Sequence, residues 1–378
     1  IGLDSNKFFT EQNQWIEEKI NSVRDSKEPE LIMDAEIDVL NQETEKNEII
    51  SVNLTILPLI NEDSDGRTDE KESFLGILIM IEDISSEKRM KSTMSRYMDP
   101  GIADQLLEDG ADIMGGLDTT ATLLFSDLRS FTNITESLGA QGTVKLLNEY
   151  FEIMVECISE QGGMLDKFIG DAIMAAFGLP ISHEDDEDRG VKAGINMIKR
   201  LWDWNDLREK DGKPPLDMGL GLNTDKIVAG NIGSQKRMDY TMIGDGVNLA
   251  ARLESACKQY NARILISDFT FKKLKGTYRI RYIDDVVVKG KTEPVGVHEV
   301  LDYHSEKTFP NLMDVVNHFN EGRKKYISGD FQQAITSFKE CLKINSEDKL
   351  SETYIDRCTQ LISQKPKNWD GVWVMKSK

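Results

Sequence analysis

Between residues 117 and 303 the chain alternates strand-like and helix-like runs, and this alternation constrains the fold more than any other feature. TATLLFSD (120–127) reads as a strand, and TVKLLNEYFEIMVECISEQGG (143–163) reads as an amphipathic helix stopped by glycine. LDKFI and AIMAAF are two short β-compatible runs flanking Gly170-Asp171. Glycine supplies the backbone freedom of a tight turn and aspartate suits turns, so the segment predicts a hairpin with Asp171 at its tip. A helix at about 186–206, strands at about 216–230, the helix GVNLAARLESACKQY and the runs RILIS, YRIRYID and VVVKGKTEPVGVHEVLD complete the pattern. The expectation is an α/β domain, an α+β sandwich with a mixed sheet. The acidic stretch SHEDDEDRG (182–190) reads as a solvated loop.

With 378 residues the chain is too long for one compact core, and its flanks read as separate segments. Residues 1–86 hold a helical pattern, FFTEQNQWIEEKINSVRDS, then the extended runs ELIMDAEIDVL, NEIISVNLTILPLI and FLGILIMIEDIS. A helix followed by a short antiparallel meander and the exit EDIS resembles the second half of a PAS sensor domain, which implies a partial PAS-like α/β segment. Residues 87–116 read as a helical linker: Met90, Met94 and Met98 recur at four-residue spacing, and Asp99-Pro100 reads as the start of a further helix. Such a stripe packs on its own domain or forms a two-helix seam. Residues 304–378 read as an all-α tail, in which Gly322, Ala334, Phe338 and Cys341 match the small–small–aromatic–small positions of a TPR helix pair. The closing NWDGVWVMKSK is expected to pack its tryptophans onto a neighbour.

The formal net charge of −20 argues against a nucleic-acid partner, though not against a nucleotide substrate held with cations. The four cysteines, Cys157, Cys257, Cys341 and Cys358, show no metal-ligand spacing and read as reduced thiols. The longest clean apolar run, GILIMI, is far short of the roughly 20 residues of a membrane helix, and no signal-peptide pattern is present. A cytoplasmic location is expected for this portion. The chain starts at Ile1 without methionine and reads as part of a longer polypeptide, with room for upstream sensor or membrane regions.

Three pieces carry chemistry. In LLFSDLRSFT (123–132) a buried strand runs into Asp127. Asp127 at a strand end and Asp171 at a hairpin tip can lie side by side, where they repel unless cations intervene. Magnesium favours one or two carboxylates plus phosphate oxygens, so the pair points to two-metal phosphoryl or nucleotidyl chemistry. In YTMIGDGVNLAARLE (240–254) a strand ends at Gly244-Asp245, with Asp245 a candidate N-cap. Asn248 and Arg252, four apart, share one helix face and suit a hydroxyl and a phosphate.

Together FSDLRSFT, LDKFIGDAIMAAFG and MDYTMIGDGVNLAARLE resemble, in order, the class III nucleotidyl cyclase catalytic domain, close to bacterial adenylate cyclases with an N-terminal PAS-like module. The resemblance implies a ferredoxin-like, palm-type sheet over 117–303. It implies Asp127, Asp171 and the Leu128 carbonyl as ligands of two ions, Mg2+ or Mn2+. It implies Arg252 at the α-phosphate, Asn248 at the ribose, and Phe131 and Thr132 at the triphosphate. Lys289 or Lys291 adds a further phosphate contact. ATP would be converted to 3′,5′-cyclic AMP and pyrophosphate at sites shared across a homodimer.

The base is arguable on hydrogen-bond grounds. Adenine presents an acceptor at N1 and a donor at N6; Lys167 donates only, and the Thr241 hydroxyl accepts. The family's guanylate cyclases typically carry Glu and Cys at these positions, so Lys167 with Thr241 reads adenylate. The Lys–Thr variant also resembles the subgroup associated with bicarbonate stimulation. Asp166 has no assigned role and defaults to a solvated strand edge. The alternative is a cyclase-like regulatory module that binds nucleotide without turnover. A diguanylate cyclase lacks support because GG(D/E)EF is absent, and a P-loop fails because GKT at 290–292 has Asp285 where glycine is needed.

Overall fold

A computed structural model describes residues 11–41, 46–61, 73–86, 88, 115–234, 237–286, 294–364, 369 and 371. The Met90–Met98 stripe, Asp99-Pro100, Lys289, Lys291 and Trp373 lie outside these residues. The chain divides into two compact units, residues 1–104 and 105–378.

In the first unit, helix α1 (Gln14–Ser26) precedes an antiparallel sheet of β1 (Glu30–Asn41), β2 (Lys46–Asn61) and β3 (Ser73–Asp83). Ile16, Ile20 and Val23, spaced three to four apart, form the buried stripe of α1. Val52, Leu54 and Ile56 alternate along β2 and meet that stripe. The Asn13 side chain donates to the Asp38 carbonyl (2.7 Å) and accepts from its N–H (2.9 Å), pinning the start of the helix to β1.

The second unit is built on eight strands. These are β4 (Gly115–Leu128), β5 (Met164–Ile169), β6 (Ala172–Phe177), β7 (Met218–Ser234), β8 (Arg237–Ile243), β9 (Ile264–Ser267), β10 (Ile280–Val286) and β11 (Val295–Val300). Their order is β10-β11-β9-β7-β4-β6-β5, with β8 paired to β7. The β7–β9 pair is parallel and the other pairs are antiparallel, so the sheet is mixed as expected. The long β7 makes this possible: residues 220–222 pair β9, and residues 228–234 run on to pair β8.

Helices cover both faces. Ile264 and Ile266 point into a core with α2 (Phe131–Ser159) and α3 (Asp186–Lys210); Leu265, between them, points into a second core with α4 (Asp245–Tyr260). The alternation of a single strand thus assigns the helices to opposite sides. Helix α2 begins twelve residues before the periodic pattern that the sequence shows, because Gly139 (φ 68°) breaks it into two pieces and resets the phase.

Two readings are corrected here. The acidic 182–190 stretch is not a solvated loop throughout. Asp186 is buried and accepts from the His183 N–H (2.7 Å); Asp188 is buried and accepts from the N–H groups of Lys275 and Gly276 and from the Tyr278 hydroxyl. Burial of these carboxylates is tolerated because each is hydrogen-bonded. Asp245 is not the N-cap of α4: the helix starts with it, and Gly244 occupies the N-cap position.

Helices α5 (Leu312–Ile327), α6 (Phe331–Ile344) and α7 (Lys349–Gln364) share a continuous core with α4, β10 and β11. A Cβ on Gly322 would lie 2.7 Å from the Phe338 ring, so that glycine admits the aromatic side chain. Trp369 donates its indole N–H to the Tyr326 carbonyl (2.9 Å). All four cysteines are buried and free. No helix among the described residues is long and apolar enough to cross a membrane.

Candidate active site

The hairpin predicted at 165–177 forms, with Gly170 (φ +67°) and Asp171 as its two-residue turn. Asp127 ends the buried run of β4, opposite Gly219 of β7, and β6 lies on the other side of β4. The turn of the hairpin therefore reaches the end of β4. Leu128 donates its backbone N–H to Asp171 Oδ2 at 3.3 Å, while its side chain is in the core. Burial first, and then Asp127, push the Asp171 carboxyl up to about 6.

These residues suit a divalent cation by their chemistry. Two hard carboxylate groups face one space, and burial together with the neighbouring Asp127 makes the charged form of Asp171 costly, which a divalent cation would relieve. Among the described residues no group of three or more His, Cys, Asp or Glu side chains converges as a metal set. A hard cation held by two carboxylates completes its shell with backbone, substrate and water oxygens.

Helix α4 brings its own groups to the same place. A Cβ on Gly221 would lie 2.2 Å from the Glu254 nitrogen and 2.3 Å from the Ala250 carbonyl oxygen. The glycine lets α4 lie directly on β7. Lys258 Nζ is then 3.5 Å from Asp127 Oδ2, and Glu254, by burial and by the charge of Asp127, is pushed up to about 7. Sequence reasoning missed both residues. Their spacing from each other is i, i+4, but nothing local ties either to Asp127, more than a hundred positions away.

Asn248 and Arg252 lie one turn apart and are exposed, while Leu249, Ala250, Leu253 and Cys257 of the same helix are buried. They form an outward pair on the helix that carries Lys258. Phe131 and Thr132 open α2 directly after Ser130 (φ 57°). The first N–H groups of a helix have no acceptor within it and face whatever lies beyond.

Lys167 and Thr241 meet at Asp166, a residue left without a role in the sequence reading. The Thr241 hydroxyl donates to Asp166 Oδ2 (3.0 Å), and Lys167 Nζ is 3.7 Å from the same oxygen. The Asp166 side chain is 0% exposed, so the expectation of a solvated edge position is wrong. A β-bulge explains the placement. Leu165 pairs with Ala175 and Lys167 with Met174, so Asp166 is the extra residue of β5. Its carboxyl is pushed up by burial, against the pull of Lys167 and the Thr241 hydroxyl. The structure thus gathers Asp127 with Asp171 and, apart from them, Lys167 with Thr241. The hairpin sends Lys167 and Asp171 to different groups.

Comparison with known proteins gives a consistent set. The family described as "Adenylate and Guanylate cyclase catalytic domain" matches residues 117–304. The chain is 38% identical over 248 residues to "Adenylate cyclase, terminal-differentiation specific" of Dictyostelium discoideum, covering 64% of this chain and 11% of that protein. It is 38% identical over 186 residues to "Adenylate cyclase" of Anabaena cylindrica, covering 47% of this chain and 36% of that protein. The chain therefore spans well under half the length of these relatives. A solved structure of a bacterial light-regulated adenylyl cyclase aligns with TM-score 0.51 at 25% identity, covering 62% of this chain and 67% of that one.

Proposed function

We propose, from the premise that residues 117–304 belong to the adenylate and guanylate cyclase catalytic domain family, that this chain is an adenylate cyclase. It converts ATP to 3′,5′-cyclic AMP and pyrophosphate at sites shared between two copies. The observation that supports the choice of ATP is the convergence of Lys167 and Thr241 on Asp166, which sets a donor beside a hydroxyl acceptor. Adenine N1 accepts from Lys167, and its N6 amino group donates to Thr241.

In this reading the bond that forms joins the ribose 3′-oxygen to the α-phosphorus. The bond that breaks joins that phosphorus to the oxygen bridging to the β-phosphate, which leaves on pyrophosphate. The 3′-hydroxyl proton goes to solvent. Asp127 and Asp171, with the Leu128 carbonyl, would hold Mg2+ or Mn2+, two ions per site. When bound, the metal supplies a lowered pKa for the 3′-hydroxyl and neutralises triphosphate charge. Asn248 orients the ribose, and Arg252 compensates charge building on the α-phosphate. The N–H groups of Phe131 and Thr132 face the triphosphate, with Lys289 or Lys291 as an added contact. By resemblance, residues 1–86 act as a sensor segment and bicarbonate as an effector.

The test is the purified chain with ATP or GTP, Mg2+ or Mn2+, and identification of the product. Cyclic AMP from ATP is expected. Nucleotide binding with no cyclic product from either substrate would favour the regulatory module instead.

A further inference from the structure

We propose that Asp166 is a positioning residue that sets base selectivity by fixing the proton of the Thr241 hydroxyl. The inference rests on the reading of Lys167 and Thr241 as the base-facing pair and adds the group that polarises them.

A threonine hydroxyl is ambiguous. It has one proton to donate and lone pairs to accept with, so by itself it serves an amino group or a carbonyl equally well. Adenine presents an amino group at C6, and guanine presents a carbonyl there. A lone threonine would therefore rotate to suit either base. Here the Thr241 proton is committed: the hydroxyl donates to Asp166 Oδ2 at 3.0 Å. Toward a ligand it has only lone pairs left. The amino group of adenine satisfies them, whereas the guanine carbonyl sets lone pairs against lone pairs.

The carboxylate is built into the fold for this contact. Successive strand residues point to opposite faces, so Asp166 and Lys167 would ordinarily diverge. The bulge between Leu165 and Lys167 removes that alternation, and both side chains reach the same place. The Asp166 side chain has no exposure, and among the described residues its Oδ1 has no hydrogen-bond partner. A buried carboxylate so sparsely satisfied costs stability, and among the described residues its side-chain partners are Thr241 and Lys167. The same oxygen holds Lys167, so one atom fixes an acceptor and a donor side by side.

The experiment measures kcat/KM for ATP and for GTP with Mn2+ in the full chain and in variants. Asp166→Leu keeps the side-chain shape and Asp166→Ala shortens it; both remove the acceptor, and whichever retains a cooperative melting transition is used. Asp166→Asn keeps a carbonyl beside Lys167 and Thr241. The ATP-to-GTP ratio is expected to fall about tenfold or more in the Leu or Ala variant and to stay within about threefold in Asp166→Asn. Thr241→Val should show the same fall, and combining it with Asp166→Leu should add nothing further. A purely structural role would lower use of both nucleotides equally and leave the ratio unmoved, which would overturn the inference. Additive losses in the double variant would overturn it as well. A wild-type chain without preference for ATP would overturn the adenine reading and this inference with it. A wild-type preference that survives Asp166→Leu would overturn this inference alone.

Discussion

Asp171 accepts the backbone N–H of Leu128 at 3.3 Å, and this bond ties the hairpin turn to the strand end that carries Asp127. The same closeness lifts the Asp171 carboxyl to about 6, by burial and by its neighbour. Its ordinary value, 3.8, applies when the chain is unfolded. Below that value both states are protonated. As pH rises from 3.8 toward 6 the unfolded chain ionises first, so the folded state loses stability across that window. Metal-free protein is expected to show a melting temperature that declines through this window for the contribution of Asp171. Asp127→Asn should flatten the decline, and Mn2+ should offset it at the upper end. Thermal melts at several pH values in chelator and in Mn2+ check this.

Lys258 stands beside Asp127 with its side chain 56% exposed. An exposed ion pair contributes about 0–1 kcal/mol, so its competition with a divalent cation is weak. Lys258→Ala is expected to tighten Mn2+ binding by up to about fivefold, read by calorimetric titration. Asp127→Ala and Asp171→Ala should each weaken it far more.

The shared-site reading predicts complementation. Asp127→Ala and Arg252→Ala chains are each expected to be nearly inactive alone. Mixed in equal amounts and allowed to exchange, half the dimers are heterodimers with one intact site, so roughly a quarter of wild-type specific activity should return. Activity that stays at the level of the separate variants would refute sharing.

The helical tail is joined to the sheet by buried charge. Arg357 Nη1 lies 2.7 Å from Asp284 Oδ2, both side chains under 10% exposed, and the Tyr260 hydroxyl donates to the same carboxylate at 2.9 Å. Removing one partner leaves the other charge unpaired, so Arg357→Ala is expected to cost about 3–5 kcal/mol in chemical denaturation. Gly322→Ala meets the Phe338 ring and should cost about 1–3 kcal/mol. Similar losses seen at residues 115–300 by hydrogen exchange would show that tail and sheet unfold together.

Much of the candidate site was legible locally. Gly170-Asp171 reads as a turn because a two-residue hairpin needs glycine's backbone, and LLFSD reads as a strand ending in a carboxylate. The i, i+4 relation of Asn248 and Arg252 is a property of any helix. What local pattern misled was the phase: Gly139 hid the first part of α2, and Asp186 and Asp188 looked like solvent-facing charge because Asp186 is satisfied by a backbone N–H three residues away and Asp188 by groups nearly ninety positions away.

The sequence by itself determined the order of strands and helices, the hairpin and the residue types that carry chemistry, because these follow from periodicity and backbone preference over a few neighbours. Tertiary structure alone decided what Asp166 does. Its partner Thr241 is 75 positions away, and in strand order β7, β4 and β6 stand between β8 and β5. A flat sheet would hold those two strands about 19 Å apart at 4.8 Å per strand. Only the curl of the sheet and one extra residue in β5 bring a buried carboxylate to a hydroxyl, and neither is encoded in any short stretch.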